Sequence, residues 1–206
     1  VPGRCFMRRL TDLTCKVSNP HHKITLNKES RKDIKAWHLF VQHFNGRQLL
    51  LERRWLTSDM LHLDTDVSGA IGYGAVFGTK WFNGAWPEEL ATFTITFKEL
   101  YPIVLAVEVW GQHFSNNCVT IHSDNSAVVY IINKQTTKEV PVMALVRRLV
   151  LACMSKNILI RSKHIPGEEN VLPDLLSRFQ MERFRLQAPQ MDIIPTTIPA
   201  YMLEMH

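Results

Sequence analysis

No stretch of this chain approaches the roughly 18 to 20 consecutive apolar residues that a membrane-crossing helix requires, so a spanning anchor is not expected. Val1-Pro2-Gly3-Arg4 does not read as the opening of a secretory signal, and a cytoplasmic or nuclear setting is the expectation. Cysteine is sparse: Cys5, Cys15, Cys118 and Cys153 are scattered, with no CxxC spacing. That argues against a zinc site and a disulfide framework and for buried free thiols. No internal repeat is present. What remains is a chain of 206 residues, 46% hydrophobic, sufficient for one medium domain and a smaller appendage.

The net charge of +5 is unevenly spread. Residues 1–55 hold 12 Lys and Arg against 4 Asp and Glu, whereas residues 56–206 hold 12 against 15. A basic segment beside a carboxylate-rich one suits an enzyme that attracts a polyanion with one part and cuts it with metals in the other. A solvated basic surface is the plainer alternative.

Residues 4–16 place Phe6, Leu10 and Leu13 at helical spacing around Arg8 and Arg9, and Asn19-Pro20-His21-His22 ends that helix. Asn27 is a candidate N-cap for a second helix to about His43, with Asn45-Gly46 a turn signal. From Leu61 the period changes to two. Strands are expected at 61–66, 71–78 and 80–86, with Asn83-Gly84 a turn candidate. Thr96 is expected to cap a long helix to about Phe114 with Pro102 in its early turns. A strand at 119–122, helices at 125–133 and 140–156, a strand at 158–160, the Pro166-Gly167 loop and a helix at 170–178 follow. Pro189, Pro195 and Pro199 suggest an irregular tail over 181–206. The order describes an α/β domain at 56–180, a mixed five-stranded sheet flanked by helices, after a basic helical segment at 1–55.

Four acids fall where elements begin or end. Asp66 closes the first strand, Asp124 the fourth, Glu99 lies in the first turn of the long helix, and Asp174 in the last helix. If the first and fourth strands are neighbours, the four share a centre whose mutual repulsion calls for cations. Two Mg²⁺ ions roughly 3.5 to 4 Å apart would neutralise such a cluster, activate a water and stabilise the leaving oxygen of a phosphodiester. Hard oxygen ligands also suit Mn²⁺. Singly, each acid has a plainer reading: a helix-dipole residue for Glu99, a cap for Asp124, a solvated helical acid for Asp174. Asp64, on the same strand face, is the main rival to Asp66.

Thr65-Asp66-Val67-Ser68-Gly69, with Gly72, Gly74, Ala75 and Val76 behind it, resembles the first signature of retroelement ribonuclease H domains. Phe97-Lys98-Glu99-Leu100 resembles the second and Ser123-Asp124-Asn125 the third. The run from His164-Ile165-Pro166-Gly167 through Asn170 and Asp174 to Ser177-Arg178 resembles the fourth and is the most specific. Gly3-Arg4, Arg8-Arg9-Leu10, Arg31-Lys32-Asp33, Trp37 and Phe44-Asn45-Gly46 resemble, more loosely, the segment that joins polymerase to ribonuclease H in DIRS-type or gypsy-like retrotransposons. No YxDD polymerase motif occurs in the chain.

The resemblance implies a ribonuclease H-like fold and a metal-dependent endonuclease that hydrolyses the RNA strand of RNA–DNA hybrids, with an upstream polymerase domain as partner. By the same resemblance, Asp66 would bridge both ions, Asp174 would help hold the one that activates water, and Glu99 and Asp124 would hold the other. His164, ten positions before Asp174, would assist product release or proton movement, unless it is a loop histidine bound to backbone. Ser68, Gly69, Asn125 and Ser126 are candidate substrate contacts, and hybrid recognition is expected to use RNA 2′-hydroxyls. The Gln135 to Glu139 connection is short, so Arg31 and Lys32, with Arg8, Arg9 and Lys35, are expected to add affinity. Trp81 and Trp86 read as packing aromatics before stacking platforms. The rivals are a catalytically silent nucleic-acid-binding or polymerase-scaffolding module and a transposase or integrase on the same fold.

Overall fold

The computed structural model describes residues 3–19, 21–42, 55–166 and 170–203. Pro20, the Asn45-Gly46 turn and Gly167 of the Pro166-Gly167 loop lie outside the described residues. Two helices open the chain, α1 Arg4–Thr14 and α2 Lys28–Gln42. Asn27 caps the second as its sequence predicts, its Oδ1 accepting from the Ser30 amide at 2.8 Å. The pair closes over Phe6 and Phe40, whose rings meet edge to face at 5.6 Å.

Among the described residues six strands follow where five are expected. β1 Trp55–Thr57 leads through a short helix, α3 Ser58–Leu61, into the hairpins β2 Leu63–Ser68, β3 Gly72–Phe77 and β4 Lys80–Ala85. These three form an antiparallel sheet in the order β2-β3-β4. Asn83 and Gly84 do not turn the chain: both lie inside β4, opposite Gly74 and Tyr73. After a short α4 Glu88–Ala91 comes α5 Ile95–Trp110, then a 3-10 turn Gly111–Phe114. Thr94, not Thr96, caps α5, accepting from the Phe97 amide at 3.4 Å. That start puts Glu99 in the second turn and Pro102 in mid-helix. α5 is buried nearly all round, as expected of a helix apolar on every face.

β5 Cys118–Ser123 and β6 Leu159–His164 run parallel to each other and to β1, in the order β1-β5-β6. The expected single five-stranded sheet is therefore two sheets of three. β1 pairs with Cys118–Thr120 on one edge of β5 and β6 pairs along the other edge, and β2 approaches β5 without a ladder to it.

Between β5 and β6 lie α6 Ser126–Lys134, capped by Asn125, and α7 Val140–Ser155, which packs on α5. α1 and α2 dock on α7. Arg9 at 3.1 Å and Arg147 at 3.5 Å enclose the buried Asp33 carboxylate, so α1, α2 and α7 share one ion cluster. Cys5, Phe6 and Ala36 join the same apolar core as α5 and α7.

The chain then forms α8 Val171–Ser177 and α9 Met181–Gln187, with a last turn of helix, α10 Ala200–Leu203. Residues after 180 thus differ from the irregular tail expected. Phe184, Ala188 and Met191 are buried against Trp81, Val76 and Leu176, and the Trp81 indole donates to the Asp192 carbonyl at 2.7 Å. The Thr196 amide returns a bond to the Trp81 carbonyl at 2.7 Å. Prolines stop this segment from forming a strand, but they do not stop it from packing. Trp86 is buried as well, donating to the Ser68 carbonyl at 2.8 Å. Among the described residues no helix is long and apolar enough to cross a membrane. None of the four cysteines forms a disulfide; three are buried and Cys15 is exposed.

Candidate metal centre

β2 alternates Leu63 and Val67 toward the core with Asp64 and Asp66 on the other face. Opposite Asp66 stands Gly74 of β3. A Cβ at Gly74 would fall 2.5 Å from the Leu176 Cβ and 2.8 Å from the Pro173 carbonyl oxygen, so the glycine is what lets α8 lie directly on the sheet. Two side chains fasten the helix there. Asn170 donates to the Thr65 carbonyl at 2.7 Å, and Asn83 to the Leu176 carbonyl at 3.4 Å. α8 in turn brings Ser177 to Asp66, hydroxyl to Oδ2, at 2.9 Å.

Glu99 reaches the same region from α5 and Asp124 from the end of β5. Asp64, Thr65, Glu99, His122, Asp124 and Asn170 line a narrow cleft where β2 and β5 splay. The acids feel one another. Burial pushes Glu99 up to about 8, and the charges of Asp124 and Asp66 add to that. Burial likewise raises Asp66 to about 6; Asp174 and Asp124 add to the rise, while the Ser177 hydrogen bond and Arg178 oppose it. Four carboxylates from β2, α5, the β5 end and α8 therefore share one electrostatic neighbourhood.

Their oxygens do not close on a single point. Among the described residues no three His, Cys, Asp or Glu side chains stand ready to hold an ion. Asp174 is turned to Arg178, whose Nε donates to its Oδ1 at 2.6 Å. The donor set still fits a hard divalent ion, four carboxylates with a guanidinium standing beside them as the local cation. Asp64 and Asp66 both belong to this face; Asp64 lines the cleft, and Asp66 accepts from Ser177 of α8.

His164 is the last residue of β6, a longer strand than the sequence predicts. Its Nε2 donates to the Asp124 carbonyl at 2.9 Å, from a strand end and not from a loop. Its strand is clamped: Asn133 of α6 both donates to the Ser162 carbonyl and accepts from the Ser162 amide, at 2.8 and 2.9 Å.

Of the expected substrate contacts, Ser68 is buried and its carbonyl is taken by Trp86. Gly69 is exposed and offers its carbonyl to Lys98 at 2.5 Å. The Asn125 side-chain oxygen is committed to the α6 amides of Ala127 and Val128, and Ser126 is exposed beside it. Arg31 and Lys32 lie on the outer surface of α2, Lys32 paired with Glu29 at 3.2 Å. α2 packs on α1 and reaches α7 through the Asp33–Arg147 ion pair, so the structure does not bring these two beside the acids.

Sequence reasoning missed Asn170, Ser177, Arg178 and Lys98. The first three stand in the last motif; their roles depend on where α8 lands. Lys98 is a buried ammonium held by the carbonyls of Gly69 and Ala91, the latter at 2.7 Å, with the Trp86 ring at 5.5 Å. Its position beside Glu99 in the second motif was the available signal.

No family profile and no curated protein matches the sequence. Among solved structures the chain is similar to the crystal structure of prototype foamy virus protease–reverse transcriptase (native), at 13% identity and a TM-score of 0.36, over 79% of this chain and 22% of that one.

Proposed function

We propose that the chain is a metal-dependent endonuclease of the ribonuclease H type, hydrolysing the RNA strand of RNA–DNA hybrids as the C-terminal part of a longer reverse transcriptase. One observation carries this reading. Asp66, Glu99, Asp124 and Asp174 are dispersed over more than half the chain, yet the charges of Asp124 and Asp66 add to the burial that pushes Glu99 to about 8, and those of Asp174 and Asp124 add to the burial that raises Asp66 to about 6. The four motifs that surround these acids are the second support.

Asp66, Glu99, Asp124 and Asp174 would hold two Mg²⁺ or Mn²⁺ ions, which supply an activated water and charge neutralisation at the leaving oxygen when bound. The chain's own work is placement. Gly74, Asn170 and Ser177 set α8, which carries Asp174, against β2 and β3. Lys98 holds the Gly69 carbonyl and with it the loop after β2, where a hybrid's minor groove with its 2′-hydroxyls would meet exposed Gly69 and Ser126. His164 fixes the backbone of Asp124 through its carbonyl.

A second reading is a catalytically silent module on the same scaffold. The Arg178 pair on Asp174 and the unconverged oxygens favour it. Cleavage of a labelled RNA–DNA hybrid in Mg²⁺, with EDTA and Asp66→Asn as controls, separates the two. Asp66→Asn is expected to lower the rate on the order of 10³-fold, the scale for losing a group that acts in the transition state. Cleavage by the variant at the wild-type rate would falsify the assignment. No cleavage by the wild type selects the silent module, and strand transfer on duplex DNA selects the integrase class.

A further inference from the structure

Two of the four acids are occupied by partners from their own chain, and the two partners differ in kind. Ser177 is fully buried, and its hydroxyl oxygen also lies 2.9 Å from the Asp174 carbonyl oxygen, so its single proton is shared between that carbonyl of its own helix and Asp66. Arg178 is different. It sits one helical turn after Asp174, its side chain is 47% exposed, and its charge reaches Asp66 as well as Asp174. An exposed ion pair between helix neighbours is weak, so a dication arriving at the same carboxylate outcompetes the guanidinium. Once released, that guanidinium lies within one side chain's length of the acids, at the end of α8, where its planar fork matches two phosphate oxygens.

We propose that Arg178 is a resident cation that holds Asp174 in the metal-free protein, yields it to a divalent ion, and then binds the phosphate backbone of the nucleic-acid substrate. The inference rests on the metal-dependent reading above. It accounts for an Asp174 carboxylate that is turned to Arg178 rather than toward the other acids. It also links two binding events: metal takes the acid of the pair and substrate takes the base, so each makes room for the other.

The test measures Mn²⁺ binding to the full chain by electron paramagnetic resonance, and separately the binding of a nuclease-resistant 2′-O-methyl RNA–DNA duplex, for wild type, Arg178→Ala and Arg178→Lys. Arg178→Ala is expected to bind Mn²⁺ about two- to fivefold more tightly, the range set by an exposed pair of this kind. It is expected to bind the duplex more weakly, with the log–log salt slope reduced by about 1. Arg178→Lys keeps the charge and is expected to retain the slope while losing part of the affinity that the fork confers. A purely structural role would weaken both ligands together. Unchanged or weaker Mn²⁺ binding by Arg178→Ala, or an unchanged duplex affinity, overturns the proposal. If the wild type binds Mn²⁺ and cleaves hybrid while Arg178→Ala shows no tightening, the inference about Arg178 alone is lost. If the wild type binds no Mn²⁺ that Asp66→Asn removes, the metal reading fails and the inference with it.

Discussion

Glu99 and Asp66 are acids placed where ionisation is unfavourable, and that has a sign in stability. In the unfolded chain both lose their protons near the ordinary values of 4.5 and 3.8, whereas in the folded protein they hold them to about 8 and 6. Between those limits the native state binds more protons than the unfolded one, so stability falls as pH rises. The metal-free protein is expected to lose on the order of a few kcal/mol between about pH 4 and pH 8, read as a falling melting temperature. Glu99→Gln is expected to flatten that decline. Mg²⁺ or Mn²⁺ is expected to oppose it, with a larger rise in melting temperature at pH 8 than at pH 5; equal rises at both would detach the ions from these carboxylates.

At the scale of elements, α8 is held by contact with β3, and the contact depends on one missing side chain. Gly74→Ala forces the Leu176 and Pro173 backbone away from the sheet, and overpacking of this kind costs about 1–3 kcal/mol. Because Asp174 rides on α8, hybrid cleavage is expected to fall by more than the loss of folded protein accounts for. Circular dichroism melts and initial rates on the same samples check this, and a stability loss with unchanged specific rate would sink it. α9 offers the complementary case. Phe184 is fully buried against Trp81, ring centroids 5.3 Å apart, so Phe184→Ala is expected to cost about 3–5 kcal/mol by chemical denaturation. A dispensable linker would show almost none.

For the whole molecule, the basic N-terminal helices are welded to α7 through Arg9, Asp33 and Arg147 and through a shared core. Their outer cations are the remaining candidates for distant contact with nucleic acid. Reversing Arg31 and Lys32 to Glu is expected to weaken hybrid binding and lower its salt slope by up to about 2. Lys32 is already paired with Glu29, so Arg31→Glu is expected to account for the larger share. Unchanged binding would remove α2 from the path of the substrate.

Local chemistry decided much of this protein in the sequence itself. The Asn27 cap, the period-two run through Asp64 and Asp66, and the apolar helix behind Glu99 depend on neighbours within a few residues and appear near where their spacing predicts, with Thr94 in place of Thr96 and Asn125 in place of Asp124 as caps. The four acids were legible for the same reason, each marked by its own short motif. What tertiary structure alone decided is adjacency. β1 lies against the first half of β5 and β2 approaches β5 without a ladder, which leaves two sheets and a cleft in place of one. Trp81 recruits the segment after 180, whose prolines spoil periodicity without hindering burial. Gly74 admits α8, and α8 brings Ser177 to Asp66 and carries the Arg178 pair on Asp174 into the same neighbourhood. No reading of spacing could place them there, because each position depends on a surface that exists only after folding.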